Sequence, residues 1–578
     1  MIKLAHYLKH YKKQIIIGPM FKLLEAIFEL IVPLVMASII DVGIKHNDID
    51  YIIKMGGLMV LLGFMGLIFA LICQYNASIA SQGVGTILRN DLFKHIQSLT
   101  FPELDQIGTN SLITRITNDV NQIQLAVAML IRLVIRAPFL VIGSIIMAMV
   151  LDLKLSSIFI IVAPIVSVIL YYVMSRSIPF YKIRQSKVDK ISLVTRENLE
   201  GSRVIRAFSK QKHEINRFEA ANQEVTNIVI RVGKLSAILN PATFAVLNIA
   251  IIAIIWFGSK RVDMGILAQG QIIAFVNYIT QISLALVVVA NLVVIFTKAS
   301  ASAARINEIF NTRPSFDEGN GISFDSFSQN EPKISLKDVS FSYDGSKEYS
   351  LNNISFDIYS GQTIGIIGGT GSGKSTLINL LPRFYEATKG EVFIDGKCVK
   401  DYTFQQIRRK FGLVPQKAVL FKGTISENLR WGKEDATNQE IERAVELAQA
   451  ADFVNSKPEK YDTMIEQGGK NLSGGQKQRL TIARALVGNP DILILDDSSS
   501  ALDYATDAAL RKAIKTNITD STVIIVSQRA NCIKHADNII VLEEGHIAGI
   551  GTHEQLFETC NTYKEICLSQ LSSEEVHK

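Results

Sequence analysis

Residues with the types and spacing to do chemistry lie mainly in the C-terminal half. Gly368-Gly369-Thr370-Gly371-Ser372-Gly373-Lys374-Ser375-Thr376 follows an apolar run at residues 363–367. Strand, glycine loop and helix in that order form a phosphate cradle. Glycines let backbone N–H groups close round phosphate oxygens, and the helix N-terminus adds its dipole. Lys374 is placed to reach the β- and γ-phosphates, and the Ser375 hydroxyl to bind Mg²⁺. Further on, Ile492-Leu493-Ile494-Leu495 reads as a buried strand that ends in two carboxylates, Asp496 and Asp497. A carboxylate at that strand end, Asp496, supplies what Mg²⁺ needs beyond the serine and the phosphates. Gln416, in Val414-Pro415-Gln416, lies between these motifs; by itself it reads as a polar loop residue.

These groups need a rigid scaffold. From Lys333 onward strand and helix patterns alternate, as in an α/β domain with a mainly parallel core sheet. Residues 311–332 are polar, with Gly, Ser and Pro, and read as a linker. The expected organisation is therefore a first domain over 1–310, a linker over 311–332 and a nucleotide-binding domain over 333–578.

The first domain is of another kind. Mean hydropathy is +0.24, with 48% hydrophobic residues, high for a water-soluble chain, and the apolar residues crowd into the first half. Six runs, at 15–40, 55–77, 129–151, 155–174, 235–258 and 271–297, approach or exceed the roughly 20 residues that cross a bilayer. With no small-residue cleavage site visible, the first run is expected to stay as an anchor. A formal charge of +6 on 578 residues implies no nucleic-acid partner. The five cysteines are scattered, without C-x-x-C spacing, and read as free thiols rather than a disulfide framework or a zinc site. The expected fold is an all-α membrane domain of six transmembrane helices with long cytoplasmic helical extensions, fused to an α/β P-loop nucleotide-binding domain.

Lys3, Lys9, Lys12 and Lys13 before the first run, and Lys298 and Arg305 after the last, place both ends in the cytoplasm by the positive-inside rule. The long loops at about 78–128 and 175–234 are then cytoplasmic helical extensions. Each has a tip, one at residues 111–120 and one around Glu200-Gly201-Ser202-Arg203. Inside the spans, Glu25 and Glu29 stand four apart, hence on one helix face, and offer a polar pathway with Asn277 and Gln281. Arg132 and Arg136 share that spacing and also invite a functional reading, with snorkelling to the cytoplasmic interface as the alternative.

Leu472-Ser473-Gly474-Gly475-Gln476, just upstream of the Asp496 strand, makes the family resemblance plain. The chain resembles a half-transporter of the ATP-binding cassette exporter superfamily over nearly its whole length. The resemblance implies ATP and Mg²⁺ as cofactors, Tyr343 stacking on adenine, Gln416 as the Q-loop residue that also meets the metal, and Ser500-Ala501-Leu502-Asp503 as the D-loop. It makes the two tips coupling helices, with Thr114, Arg115, Asn118 and Asp119 on the first and Glu200, Gly201 and Arg203 on the second. It also implies a second half-transporter, because each ATP lies between one chain's phosphate loop and the other's Leu472–Gln476 signature.

Two positions depart from the family pattern. Asp497 stands where the family has the glutamate that activates water, and Gln528 where it has the switch histidine. A catalytic base has to lie within about 2.6–3.2 Å of the group it serves, and a misplacement of about 1 Å costs on the order of 10²-fold. The chain thus resembles the degenerate-site subunit of bacterial heterodimeric multidrug exporters, holding nucleotide in its own site and completing its partner's. Expected cargo is an amphipathic drug-like compound, with Glu25 and Glu29 favouring cations; the protein is expected in the cytoplasmic membrane, among lipid. The alternatives are a homodimeric exporter of lipid or peptide and a slow ATP-gated regulatory membrane protein.

Overall fold

A computed structural model describes residues 2–322, 331–343, 346, 348–498, 501–518 and 520–570. The chain divides into two compact units, one of Met1–Gln97 with Gly108–Thr312 and one of Ser98–Ile107 with Arg313–Lys578.

The first unit is all helix. Among the described residues, six helices are long and apolar enough to cross a membrane: Leu4–Ile44, Ile49–Ser98, Thr109–Leu151, Leu153–Glu200, Gln211–Asp263 and Gln269–Asn311. Each outruns its apolar run, because the polar sequence beyond it also keeps helical propensity, and Pro19, Pro33, Pro164 and Pro179 are carried inside the helices. Small residues let the helices approach closely. Ala148, Ala250 and Ala274 are almost fully buried in a core shared with Phe159, Phe275 and Tyr278, and a side chain on Gly143 would meet Leu30 at 2.5 Å. The second helix turns Val60, Leu61, Phe64, Leu67 and Leu71 outward. Apolar side chains facing out from a fully helical backbone are what a lipid environment requires.

The second unit is α/β. A four-stranded antiparallel sheet runs in the order β2 (Leu351–Ile358), β1 (Ile334–Phe341), β4 (Lys389–Ile394), β5 (Lys397–Cys398). The core sheet has six strands in the order β12 (His546–Gly551), β11 (Asn538–Glu543), β3 (Thr363–Gly368), β10 (Thr522–Val526), β9 (Ile492–Asp496), β6 (Phe411–Val414). All neighbours in it are parallel except the β11–β12 pair at the edge. Strands covered on both faces are apolar at every position rather than alternating, and Ile492 through Leu495 are indeed all buried. A short pair, β7 (Gly423–Thr424) with β8 (Met464–Ile465), completes the strands of the described residues.

Candidate functional site

Parallel β-sheets gather their chemistry at the carboxyl ends of the strands, and the register here does so. Val526 on β10 lies level with Ile366 on β3 and with Asp496 on β9, while Leu495 lies level with Val414 on β6. The loop after Gly368, Gln528, the Asp496-Asp497 pair and Gln416 therefore emerge at one end of one sheet, although they come from stretches up to 160 residues apart (368 to 528).

The glycine loop enters the helix Lys374–Leu380, with Gly371 and Gly373 at φ of 84° and 96°, a region that side chains with a Cβ disfavour. A Cβ on Gly369 or Gly371 would meet open space. The result is a backbone-lined cradle of the shape that takes a polyphosphate. Lys374 Nζ donates to the Gly368 and Gly369 carbonyls, 2.9 and 2.6 Å away, so the ammonium is held over the loop. Burial pulls the Lys374 pKa below its ordinary value, while Asp496 and Asp497 push it back up. Burial also raises Asp496, from its usual 3.8 to about 6, with the neighbouring Asp497 adding to the rise and Lys374 opposing it. A half-buried carboxylate with an exposed serine hydroxyl is a hard-oxygen donor set that suits Mg²⁺. Thr370 is exposed, whereas Ser372 and Thr376 are buried and stiffen the loop.

Tyr343 stands edge-on to Phe341 and Tyr385, at 4.8 and 5.5 Å between ring centroids, and its hydroxyl meets Thr376 Oγ1 at 3.1 Å. One face of an exposed ring is thereby fixed beside the loop, in place for stacking. Asp497 has a left-handed backbone (φ 45°) anchored by its N–H to Val526 O at 2.8 Å. Its carboxylate accepts from Gln416 Nε2 at 3.4 Å. Gln528 is exposed, just past β10.

Leu472 is buried, and Ser473 N-caps the helix Gly474–Leu486. Ser473 Oγ accepts from Gln476 N at 3.3 Å, while Ser473 N donates to Gln476 Oε1 at 3.0 Å. This capping box fixes the helix N-terminus and leaves Gly474 with open space where a side chain would stand. A Cβ on Gly475 would lie 3.2 Å from the Ala501 carbonyl, so the signature helix and the loop after Asp497 are in close approach. Within that loop Leu502 is buried and Asp503 caps the next helix, accepting from Thr506 N at 2.9 Å. Ser500 lies outside the described residues.

At the first tip, Thr114, Arg115, Asn118 and Asp119 continue the third long helix; Arg115 pairs with Glu308 at 3.0 Å and Asp119 pairs with Arg305, while Thr114 and Asn118 are exposed. The preceding short helix, Phe101–Ile107, belongs to the α/β unit. Phe101 lies 4.6 Å from the Phe384 ring and 6.2 Å from the Tyr385 ring, and the Tyr385 hydroxyl donates to Asp105. Buried Glu103 accepts from Thr100 and Ser315. The same Tyr385 ring touches Tyr343, so one aromatic cluster joins the helix Phe101–Ile107 to the nucleotide cradle. The partners Phe384 and Tyr385 carry no motif signal in the sequence. At the second tip the helix stops at Glu200, Gly201 receives no side chain without meeting Glu197 O at 2.8 Å, and Arg203 lies in the short exposed helix Ser202–Ala207.

The two span carboxylates singled out in the sequence are both in ion pairs. Glu29 forms an ion pair with Arg136 at 2.6 Å, and Glu25 one with Lys22 at 2.6 Å. A carboxylate on another helix thus solvates the Arg136 guanidinium. Gln281 donates to Glu29 O at 3.2 Å and meets Ser144 at 3.4 Å, joining this group, whereas Asn277 is exposed and donates to Ile273 O on its own helix. A separate open groove of about 950 Å³ is lined mainly by apolar side chains such as Leu130, Val134, Leu292, Val293 and Phe296.

Comparison with known proteins agrees with this geometry. Residues 15–286 match the ABC transporter transmembrane region and residues 351–500 the ABC transporter domain. An uncharacterized ABC transporter ATP-binding protein of Bacillus subtilis is 37% identical over 574 residues, covering 99% of each chain. Another Bacillus subtilis protein, provisionally named a multidrug export ATP-binding/permease protein, is 32% identical and covers 98% of each. Among solved structures, a bacterial Atm1-family ABC exporter with ATP bound superposes with a TM-score of 0.80 at 23% identity, covering 97% of this chain and 99% of that one, a likeness of fold.

Proposed function

The chain belongs to the ATP-binding cassette transporter family, with membrane-spanning part and ATP-binding domain in one polypeptide, and from that premise we propose that it is an efflux half-transporter whose own ATP site holds nucleotide and turns over slowly. The observation that carries this reading is the pair Asp497 and Gln528 at the ends of adjacent strands β9 and β10. Bound Mg–ATP supplies the phosphoanhydride whose cleavage drives transport in the family. Lys374 and the loop amides would offset phosphate charge, and Ser375, Asp496 and Gln416 would hold the metal side. Asp497 faces the task of taking a proton from water with a carboxylate one methylene shorter than glutamate, already bonded to Gln416. Gln528 donates and accepts hydrogen bonds but takes no positive charge.

The Ser473 helix N-terminus is offered to a partner's nucleotide, and the partner in this reading is a distinct half-transporter carrying the glutamate and the histidine. Phe101–Ile107, through Tyr385, together with the tip at Gly201 couples closure of the ATP-binding domains to the six helices, with both ends of the chain in the cytoplasm. The cargo is an amphipathic, drug-like compound of the cell membrane; the multidrug name of one relative and the apolar groove at Phe296 support it. Because Glu25 and Glu29 are each neutralised by a neighbour, the reading assigns them no preference for cations. Co-expression with candidate half-transporters, followed by dye flux in reconstituted vesicles, tests it. ATP-dependent flux that needs the partner supports the proposal, and equal flux from the chain alone refutes it.

A further inference from the structure

The helix Asn561–Gln570 closes on the loop that carries Gln528. Gln570 Nε2 donates to the Gln528 carbonyl at 2.8 Å, and Gln570 Oε1 accepts from Ala530 N at 2.9 Å. One side-chain amide thus makes both bonds that a neighbouring strand would make to residues 528 and 530. The helix behind it is firmly seated: Tyr563 and Cys567 are fully buried in a cluster with Ile367 of β3, Ile533 and Ile539. On its other side the loop is tied to β3 by Ser527 N to Ile366 O at 3.1 Å, and Ser527 Oγ accepts from Arg529 N at 3.0 Å. Gln528 itself remains exposed between the two ties.

We propose that Gln570 is a positioning residue for the switch loop, holding the Gln528 backbone so that its side chain meets the γ-phosphate end of the nucleotide. The inference rests on the reading of Gln528 as the switch residue. The two bonds, one exposed at Gln528 O and one half-buried at Ala530 N, are together worth about one net hydrogen bond, and here the loss falls on a loop of few residues that senses whether a third phosphate is present. The clasp therefore acts on discrimination between ATP and ADP, and only weakly on binding of the base or of the two phosphates that both nucleotides share. It also explains why an exposed glutamine at the end of a helix is engaged twice by backbone rather than by water.

The test uses the full-length chain in lipid nanodiscs with Mg²⁺, reading dissociation of fluorescent mant-ATP and mant-ADP together with the thermal midpoint of the nucleotide-free protein. Q570A is expected to lower the ATP-over-ADP preference about fivefold, the loss of about one net hydrogen bond, with mant-ADP release and thermal midpoint near wild type. Q570E keeps the acceptor for Ala530 N and loses the donor for Gln528 O, and falls between. Q528A is the control and lowers the same preference. If Q528A lowers it and Q570A does not, the clasp is overturned and the switch reading stands. If Q528A has no effect, both fall. A Q570A change that appears equally in mant-ADP release and in the thermal midpoint means a merely structural contact and also overturns the proposal.

Discussion

Gln416 Nε2 donates to the Asp497 carboxylate across 3.4 Å, joining the loop after β6 to the residue after β9. Asp497 is thereby held short, on a left-handed backbone that aspartate tolerates better than most residues. D497E lengthens the side chain but leaves the glutamine at 528 in place. It is expected to raise hydrolysis at this site modestly, whereas D497E with Q528H raises it on the order of 10²-fold, the cost of about 1 Å of misplacement removed. Single-turnover ATP cleavage at this site, with the partner present to complete it, measures this, and an unchanged rate in the double variant counts against the role given to both residues.

The aromatic contact of Phe101 with Phe384 and Tyr385 predicts an uncoupled variant. F101A removes the ring and leaves the phosphate loop untouched, so flux per ATP hydrolysed is expected to fall about 2- to 30-fold, the range of coupling changes of about 0.5–2 kcal/mol. Y385F keeps the ring but loses the hydroxyl donated to Asp105 and is expected to show a smaller loss. Parallel measurement of ATPase and dye flux checks it; equal loss of both activities speaks for a folding defect instead.

The first stretch of that coupling path and the charge pairs of the membrane unit also mark what could be read from sequence. The six apolar helices, the order of strand, glycine loop and helix, and the parallel α/β domain were legible because each is written in local periodicity and turn chemistry. The sites at the strand ends followed, since register in a parallel sheet brings such loops together. Glu29 with Arg136 was not legible: helical spacing places each on a face but is silent about a partner 107 residues away (29 to 136). Phe101 with Tyr385 and Gln570 with Gln528 were hidden for the same reason, being tertiary contacts between residues of ordinary type.

That ion pair gives a stability prediction. E29Q alone leaves the Arg136 guanidinium half-buried without its carboxylate and is expected to cost ~1–3 kcal/mol, between the exposed and buried cases. E29Q with R136Q is expected to recover much of this. Thermal unfolding in detergent measures it; additive losses in the double variant would mean that the two residues act independently.

Asp496 predicts a pH dependence for the nucleotide-free protein. Its folded pKa, about 6, lies above its usual 3.8, so folding favours the protonated form. Stability from this group is full below about 4, declines as pH rises through 6 and stays low above. D496N removes that decline, so the variant is expected to be more stable than wild type at pH 7.5, by about 1–2 kcal/mol after discounting for solvent, and no more stable at pH 4. A constant difference across this pH range would contradict the assignment. Mg²⁺-dependent nucleotide binding is lost in the same variant.

The most direct test of the central claim is steady-state ATP hydrolysis by the purified chain alone in lipid, compared with its D497N variant. A site that holds nucleotide predicts very slow turnover that D497N scarcely changes, with ATP still retained. Robust turnover by the chain alone, abolished by D497N, would contradict it.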